Sequence, residues 1–332
     1  MAATGDIAVV IATYRRPHLI MRALDSIPHQ TLRPREIIVV DDASDDDTGE
    51  VVQEWARRHA IDVRFIVASE NGGAGVARNL AMTATTCPLI AFLDSDDEYA
   101  PDALERLAAP LAAHPEAVVS FADALQLWND DTPSVPMMRR CLTPGLDTQP
   151  ISPGLHRLND PQSALLLTSM IPTCAAMFRR DAAEAVGWMP AYRHGEDWIF
   201  WLKLSSRGDF LCQFVEVATV HRQGDNQTGA EHDARNAQLT LNAFLKLRNG
   251  HFGVTLTQAN RARLSVAIEE KVGHLRYHAS RRGLFAYWRA IGSTEARAAG
   301  CRWQHLRDDP KSLLRALRFS LPAGSARRDA SI

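Results

Sequence analysis

Apolar residues in the first 120 positions come in short unbroken runs, and polar clusters separate them. IAVVIA (7–12), EIIVV (36–40), VRFIVA (63–68), LIAFL (89–93) and AVVSFAD (117–123) read as strands. Helical patterns alternate with them. One starts at Pro17 and runs to about Ile27. A second follows Thr48 as a cap, with Val51, Val52 and Trp55 on one face. A third follows the break NGGAG (71–75), with Arg78 and Asn79 in its first turns, and Pro101 opens a fourth. The strand runs lack period-2 alternation, so neither sheet face is wet. The expected fold class is α/β, a mostly parallel sheet with helices on both faces.

Such sheets bind ligands at the carboxyl ends of their strands. Here those ends are polar: Thr13 and Tyr14, Asp41 and Asp42, Ser69 to Asn71, and Asp94 to Asp97. From 124 to about 160 the pattern weakens. Pro133, Pro136, Pro144, Pro150, Pro153 and Pro161 predict a loop-rich insert, a flap on the substrate side. Regular signals return with TCAAMFRRDAAEAVGW and HGEDWIFWLKLSSRG. In the second, Trp198, Trp201 and Leu202 are spaced to line one helical face. CQFVEVATVHR reads as a strand, and beyond about Glu231 the chain reads as helical. The expected division is a nucleotide-binding domain over 1–230 and a helical segment over 231–332.

Composition changes this picture little. The chain has 332 residues, 46% hydrophobic and 23% charged, as in ordinary globular proteins. Its net charge of −2 argues against general nucleic-acid binding. The charge is unevenly spread. Residues 1–260 hold 22 basic and 33 acidic side chains, and 261–332 hold 15 and 6. A tail of +9 on a body of −11 predicts a distinct C-terminal segment with an anionic neighbour, either the acidic body or a membrane surface. Cys87, Cys141, Cys174, Cys212 and Cys301 are scattered and lack a CxxC pair, which fits a reducing compartment. The N-terminus does not read as a signal peptide, and no apolar run approaches the ~18 residues of a membrane span. The expected location is cytoplasmic, with peripheral membrane contact through the basic segment.

The densest chemistry is AFLDSDDEY (91–99). Asp94 and Asp96 flank the small Ser95 behind a buried strand, so both carboxylates can point into one site. A hard cation, Mg²⁺ or Mn²⁺, takes one or two carboxylates and completes its shell with substrate phosphates. Asp97 and Glu98 also suit a loop that caps the next helix. Asp41 and Asp42 can accept a base N–H or a ribose hydroxyl, while Asp45 to Asp47 suit a solvated turn. ASENGGAGVARN is neither a Walker A loop nor G-x-G-x-x-G, since Arg78 stands where the third glycine belongs. It suits a tight turn, or a close approach of backbone at Gly73 with Arg78 supplying charge to a nucleotide. Glu196 and Asp197 start a helix, where one serves as a cap and the other is free to act as a general base. His221 is a candidate metal ligand and Arg222 a candidate phosphate contact.

Five stretches in this order resemble the family 2 glycosyltransferases with a GT-A fold: VVIATYRRPHLIMRALDSI, EIIVVDDASDDDT, NGGAGVARNLA, LIAFLDSDDEYAPDALE and AAMFRRDAAEAVGWMPAYRHGEDWIFWLKL. They cover most of 6–228. The resemblance implies a nucleoside-diphosphate sugar donor, foremost a UDP-sugar, a carbohydrate or lipid-linked acceptor, Mn²⁺ or Mg²⁺, and inversion at the anomeric carbon. It implies that Ala12, Thr13, Tyr14, Asp41 and Asp42 hold base and ribose, with Gly73, Arg78, Ser95 and Arg222 near the donor. It further implies Asp94 on ribose or metal, Asp96 on metal, and a catalytic base at Asp197 with Glu196 in reserve. The family often has Asn after the tyrosine, whereas Arg15 follows Tyr14 here, a change that bears on donor contacts. Two other classes fit metal and carboxylates on an α/β sheet: a nucleotidyltransferase, which would release pyrophosphate, and a non-catalytic nucleotide-sugar-binding protein.

Overall fold

The computed structural model describes residues 3–128, 134–138, 146–222, 233–300 and 309–320. By its internal contacts the chain forms two compact units, 1–225 with 252–254, and 226–251 with 255–332.

The first unit runs β1 (Ala3–Thr13), α1 (Ile20–Ser26), β2 (Leu32–Asp41), α2 (Thr48–His59), β3 (Arg64–Val67), α3 (Ala74–Ala84), β4 (Leu89–Asp94) and β5 (Glu98–Tyr99). It continues with α4 (Ala103–Ala113), β6 (Ala117–Trp128), β7 (Val135–Pro136), β8 (Thr148–Ser152), β9 (Leu155–Leu158) and α5 (Pro161–Leu167). A 3₁₀ turn (Thr173–Ala175), β10 (Ala176–Arg179), α6 (Arg180–Ala185), α7 (Glu196–Leu204) and β11 (Asp209–Arg222) complete it. The second unit holds α8 (Asp233–Arg248), α9 (Gln258–Ser280), α10 (Leu284–Ile291), α11 (Thr294–Ala298) and α12 (Pro310–Ser320).

The described strands join one sheet of order β3-β2-β1-β4-β10-β6-β11-β9-β8, with β5 on β11 and β7 on β6. The half β3-β2-β1-β4 is parallel, as the apolar runs predict. The other half corrects that expectation. β10 lies antiparallel between β4 and β6, and β11 is parallel to β6 but antiparallel to β9. The carboxyl ends of β1, β2, β4, β6 and β11 therefore share one edge with the start of β10. The proline-rich insert is also more regular than expected. β8 and β9 form a hairpin on the sheet, turning at Gly154 (φ 77°). Residues 129–133 and 139–145 of that insert lie outside the described residues.

Core packing fixes the helices that frame this edge. Val9, Val39, Ala91 and Leu93 are fully buried, as two-sided burial requires. Trp55 of α2 is buried, and its Nε1 donates to Asp25 Oδ1 at 2.7 Å. Thr48 is the first residue of α2, not its cap. Asp46 Oδ1 instead accepts from both the Thr48 amide and its hydroxyl. α7 buries Ile199, Phe200 and Leu204 as well as the expected Trp198, Trp201 and Leu202, so it is apolar all round. Phe92, Phe178, Phe200 and Trp201 pack with centroids 5.0–6.4 Å apart, which pins α7 beneath β4 and β10. Among the described residues no helix is long and apolar enough to cross a membrane.

Candidate active site

The site is built where β1, β2 and β4 end. Thr13 is paired with Asp41 across β1 and β2, and its carbonyl accepts from the Asp42 amide at 2.9 Å. Ala12 lies in register between Val40 and Asp94. The Thr13 side chain is buried and its Oγ1 has no hydrogen-bond partner. Such an orphan is costly unless a ligand meets it. Tyr14 beside it is 38% exposed, with the Arg15 guanidinium over its ring at 5.2 Å. Arg15 takes a left-handed φ of 52°, and its amide donates to Ser44 Oγ at 2.8 Å.

The second strand's acids build turns. Asp41 Oδ1 and Oδ2 accept from the Ser44 hydroxyl and amide. Asp42 accepts from the Gly72 and Gly73 amides, one on each oxygen, at 2.9 and 2.8 Å. The buried carboxylate thus shapes the glycine turn, which enters α3 through Gly73 at φ 88°. Gly75, two residues on, admits Glu196: a Cβ there would lie 3.0 Å from Glu196 Cγ and 3.2 Å from the Pro190 carbonyl.

Arg78 is the centre of the cluster. Its Nη2 donates to Asp94 Oδ1 at 2.6 Å and its Nη1 to Glu196 Oε1 at 3.3 Å, and the guanidinium lies 5.3 Å from the Phe92 centroid. Burial works against its charge, but Asp94, Glu196 and Asp197 more than offset that and raise its pKa. Glu196 is pushed up to about 7, by burial first and by the Asp197 charge second, against the pull of Arg78. Asp197 has a different surrounding. Its Oδ2 accepts from the Thr173 hydroxyl at 2.8 Å and its Oδ1 from the Trp198 amide at 2.7 Å. Trp198 Nε1 in turn donates to the Leu165 carbonyl at 2.7 Å, so α5 anchors the start of α7.

The second acid of the D-x-D is held separately. Asp96 Oδ2 pairs with Arg16 Nη1 at 2.8 Å, and the Asp96 carbonyl accepts from Arg22 at 3.2 Å. Ser95 between the two acids is buried. Asp97 turns inward: its amide bonds the Asp94 carbonyl at 3.0 Å, and its Oδ1 accepts from the His221 amide at 3.1 Å. Burial, then the charges of Asp94 and Asp96, push its pKa well up. Buried Cys174 is its hydrogen-bond partner.

His221 lies at the end of β11, beside the loop that follows β4. Its Nε2 meets Glu98 Oε1 at 3.1 Å, because β5 pairs with β11 and brings the two side by side. Arg222 ends β11, in register with Trp128 of β6. Among the described residues no group of three or more His, Cys, Asp or Glu could hold a metal ion. Asp94 and Asp96 carry hard carboxylate oxygens at this edge. They fit an Mg²⁺ or Mn²⁺ that draws its other ligands from a diphosphate, not one caged by protein alone.

Arg16, Thr173 and Arg193 were not legible as site residues. Arg193 grips Asn71, through Oδ1 at 3.1 Å and the carbonyl at 2.6 Å, beside the glycine turn. The run of two arginines after Tyr14 was the one signal that pointed to Arg16.

Comparison with known proteins agrees with this architecture. The family described as "Glycosyl transferase family 2" matches residues 8–187. The chain is 28% identical over 248 residues to the "Putative teichuronic acid biosynthesis glycosyltransferase TuaG" of Bacillus subtilis (strain 168), covering 74% of this chain and 90% of TuaG. Its fold is similar to S. aureus TarS 1-349 in complex with UDP (TM-score 0.56, 17% identity, 94% and 88% covered). The chain covers 53% of a longer TarS structure. It is likewise similar to the mannosyltransferase PcManGT from Pyrobaculum calidifontis in complex with GDP-Man and Mn²⁺ (TM-score 0.55, 19% identity, 95% and 88% covered). With a mixed α/β sheet of the GT-A kind, a helical C-terminal part and that match, the chain belongs to glycosyl transferase family 2 and is a glycosyltransferase.

Proposed function

We propose that the protein moves a sugar from a nucleoside-diphosphate sugar to an acceptor hydroxyl, with inversion at the anomeric carbon. The acceptor is a carbohydrate or a lipid-linked saccharide, in the synthesis of a surface polysaccharide or other glycoconjugate. The observation that carries this reading is the junction of Arg78, Asp94 and Glu196, with Asp197 one residue away on the same helix start. UDP in the TarS structure and GDP-Man with Mn²⁺ in PcManGT support a nucleotide-sugar donor, foremost a UDP-sugar. The teichuronic acid biosynthesis ascribed to TuaG supports the polysaccharide context. The expected place of work is cytoplasmic, at the inner face of a membrane.

The residues divide the labour as follows. The Thr13 hydroxyl, buried and without a partner, meets the base or ribose, and the Tyr14 ring lies alongside. Asp41 and Asp42 hold the turns that border the nucleotide, and the Gly73 backbone lets it come close. Asp94 and Asp96 would hold Mn²⁺ or Mg²⁺ beside the diphosphate, and the ion would supply Lewis-acid neutralisation of leaving-group charge. Arg78 adds fixed positive charge beside that diphosphate in a dry site, where it needs no reorganisation. Asp197 takes the proton of the acceptor hydroxyl as the oxygen attacks the sugar carbon opposite the diphosphate. Thr173 and the Trp198 amide hold its carboxylate in place. Attack from the opposite face inverts the centre.

A thermal-shift screen of nucleoside diphosphates and their sugars, with and without Mn²⁺, tests the donor side. One nucleotide should stabilise the wild type more with Mn²⁺ than without, and Asp96→Ala should lose that increment. An unchanged Mn²⁺ increment in Asp96→Ala would overturn the assignment.

A further inference from the structure

The last described helix of the second unit buries small residues and leaves large apolar ones exposed. In α12 the small residues Ser312 and Ala316, one turn apart, face inward at 3% and 0% exposure. Three of its four large apolar residues are exposed, Leu314 (65%) and Leu317 (43%) on one face and Phe319 (55%) near the helix end, while Leu313 is half-buried. A globular helix normally buries its large apolar stripe and exposes the small and polar residues. Single exposed apolar residues need no explanation, but a helix face of them does.

The outward face has a basic fringe. Lys311 and Arg318 share it with Leu314 and Leu317 at helical spacing. Beside it opens a cleft of about 500 Å³ lined by Tyr277, Arg281, Leu314, Arg315, Arg318 and Phe319. The lining holds three guanidiniums and no acid. Its floor is pre-arranged: the Arg315 guanidinium stacks over Tyr277 at 4.5 Å, its Nη1 donates to Ser280 Oγ at 3.0 Å, and Arg281 lies 6.0 Å from the same ring. At the far end, Ser320 Oγ accepts from the Leu284 amide, which brings Phe285, 82% exposed, next to the end of α12. Arg276 pairs with Asp309 at 3.3 Å and fixes the start of the helix.

We propose that this face of α12, with the adjoining arginine cleft, docks on the surface of an anionic phospholipid bilayer. Guanidiniums beside an aromatic ring suit phosphate headgroups. Leu314, Leu317, Phe319 and Phe285 reach the acyl boundary, while the basic residues stay at headgroup level. A nucleic acid would satisfy the arginines but leave the leucines and phenylalanines wet. An acidic protein partner is the rival that the experiment separates. The surface bears on the acceptor side of the proposed reaction and gives that reading a bilayer, yet its test needs neither donor nor acceptor.

The full chain is floated with vesicles of phosphatidylcholine alone and with vesicles that also contain phosphatidylglycerol. It should float with the second kind only, and added salt should weaken binding. Arg281→Ala and Arg318→Ala should each weaken binding about fivefold, the equivalent of about 1 kcal/mol per basic residue at an anionic surface. Leu314→Ser with Leu317→Ser should weaken it at least tenfold. None of the three variants should change the thermal shift given by the donor nucleotide, which reports the other unit and the proposed chemistry. Equal flotation with both vesicle types, or variants that float like the wild type, would overturn the proposal. So would loss of monomer on light scattering without vesicle binding, since the face would then join two copies, or capture by polyglutamate but not by vesicles, which would assign it to an acidic protein.

Discussion

Arg78 decides the electrostatics of the site, because it is buried between two acids that are unequal. Asp94 is its close partner, and Glu196 is the more buried of the two, with a side chain 14% exposed against 35%. Glu196, ordinarily at 4.5, is pushed up to about 7. Below about pH 4.5 it is protonated in both the folded and unfolded chain, so it contributes no pH dependence. Between 4.5 and 7 the unfolded chain gives up the proton and the folded chain keeps it. Stability therefore falls as pH rises through that window, by at most about 3.5 kcal/mol at ~1.4 kcal/mol per pH unit. Glu196→Gln should flatten this part of the curve, read as urea midpoints at a series of pH values without metal or donor. A variant with the same slope as the wild type would show that Glu196 titrates normally. Thr173 offers a second residue-scale test. Removing its hydrogen bond to a charged carboxylate with Thr173→Val should lower kcat ten- to a hundredfold and leave donor KM nearly unchanged. Thr173→Ser should restore it. Neither pairing was legible in the sequence. Thr173 lies 24 residues before Asp197 and Arg16 lies 80 before Asp96. Only the folded sheet edge brings them together.

At the scale of elements, α7 owes its position to packing on every side, and that makes its first turn sensitive to what lies beneath. Gly75 of α3 has no room for a methyl group, with Glu196 Cγ and the Pro190 carbonyl 3.0 and 3.2 Å from its would-be Cβ. Gly75→Ala should cost about 1–3 kcal/mol of stability by overpacking and displace Glu196. Gly273 of α9 is the opposite case, a helical glycine with nothing within 4 Å of its would-be Cβ. Gly273→Ala should leave stability unchanged or raise it by about 0.5–1 kcal/mol, through the better helix propensity of alanine. Denaturant midpoints measure both. The parallel strands were legible because long apolar runs between helices have few other solutions. β10 was not, since Ala176, Met177 and Phe178 read as a short apolar run in either direction and nothing local fixes the antiparallel one. The β8–β9 hairpin was hidden by Pro150 and Pro153, which its place at the end of the sheet tolerates.

At the scale of the whole molecule, one edge of one sheet gathers residues from Thr13 to Arg222, because parallel strands deliver their carboxyl ends together. Acids that directly follow apolar runs are therefore readable as a site in the sequence, whereas partners supplied by turns and helix starts are not. The same edge divides the acids of DSDDE. Asp94 and Asp96 stand at the edge on arginines, Asp97 turns into the interior, and Glu98 meets His221. The central proposal is that this edge performs inverting sugar transfer with Asp197 as base. The most direct test compares Asp197→Asn with the wild type, for both sugar transfer to acceptor and donor binding in the presence of Mn²⁺. Transfer should fall by about 10²–10⁴-fold while donor affinity stays within about twofold. Transfer at the wild-type rate, or an equal loss of binding and turnover, would contradict the role given to Asp197.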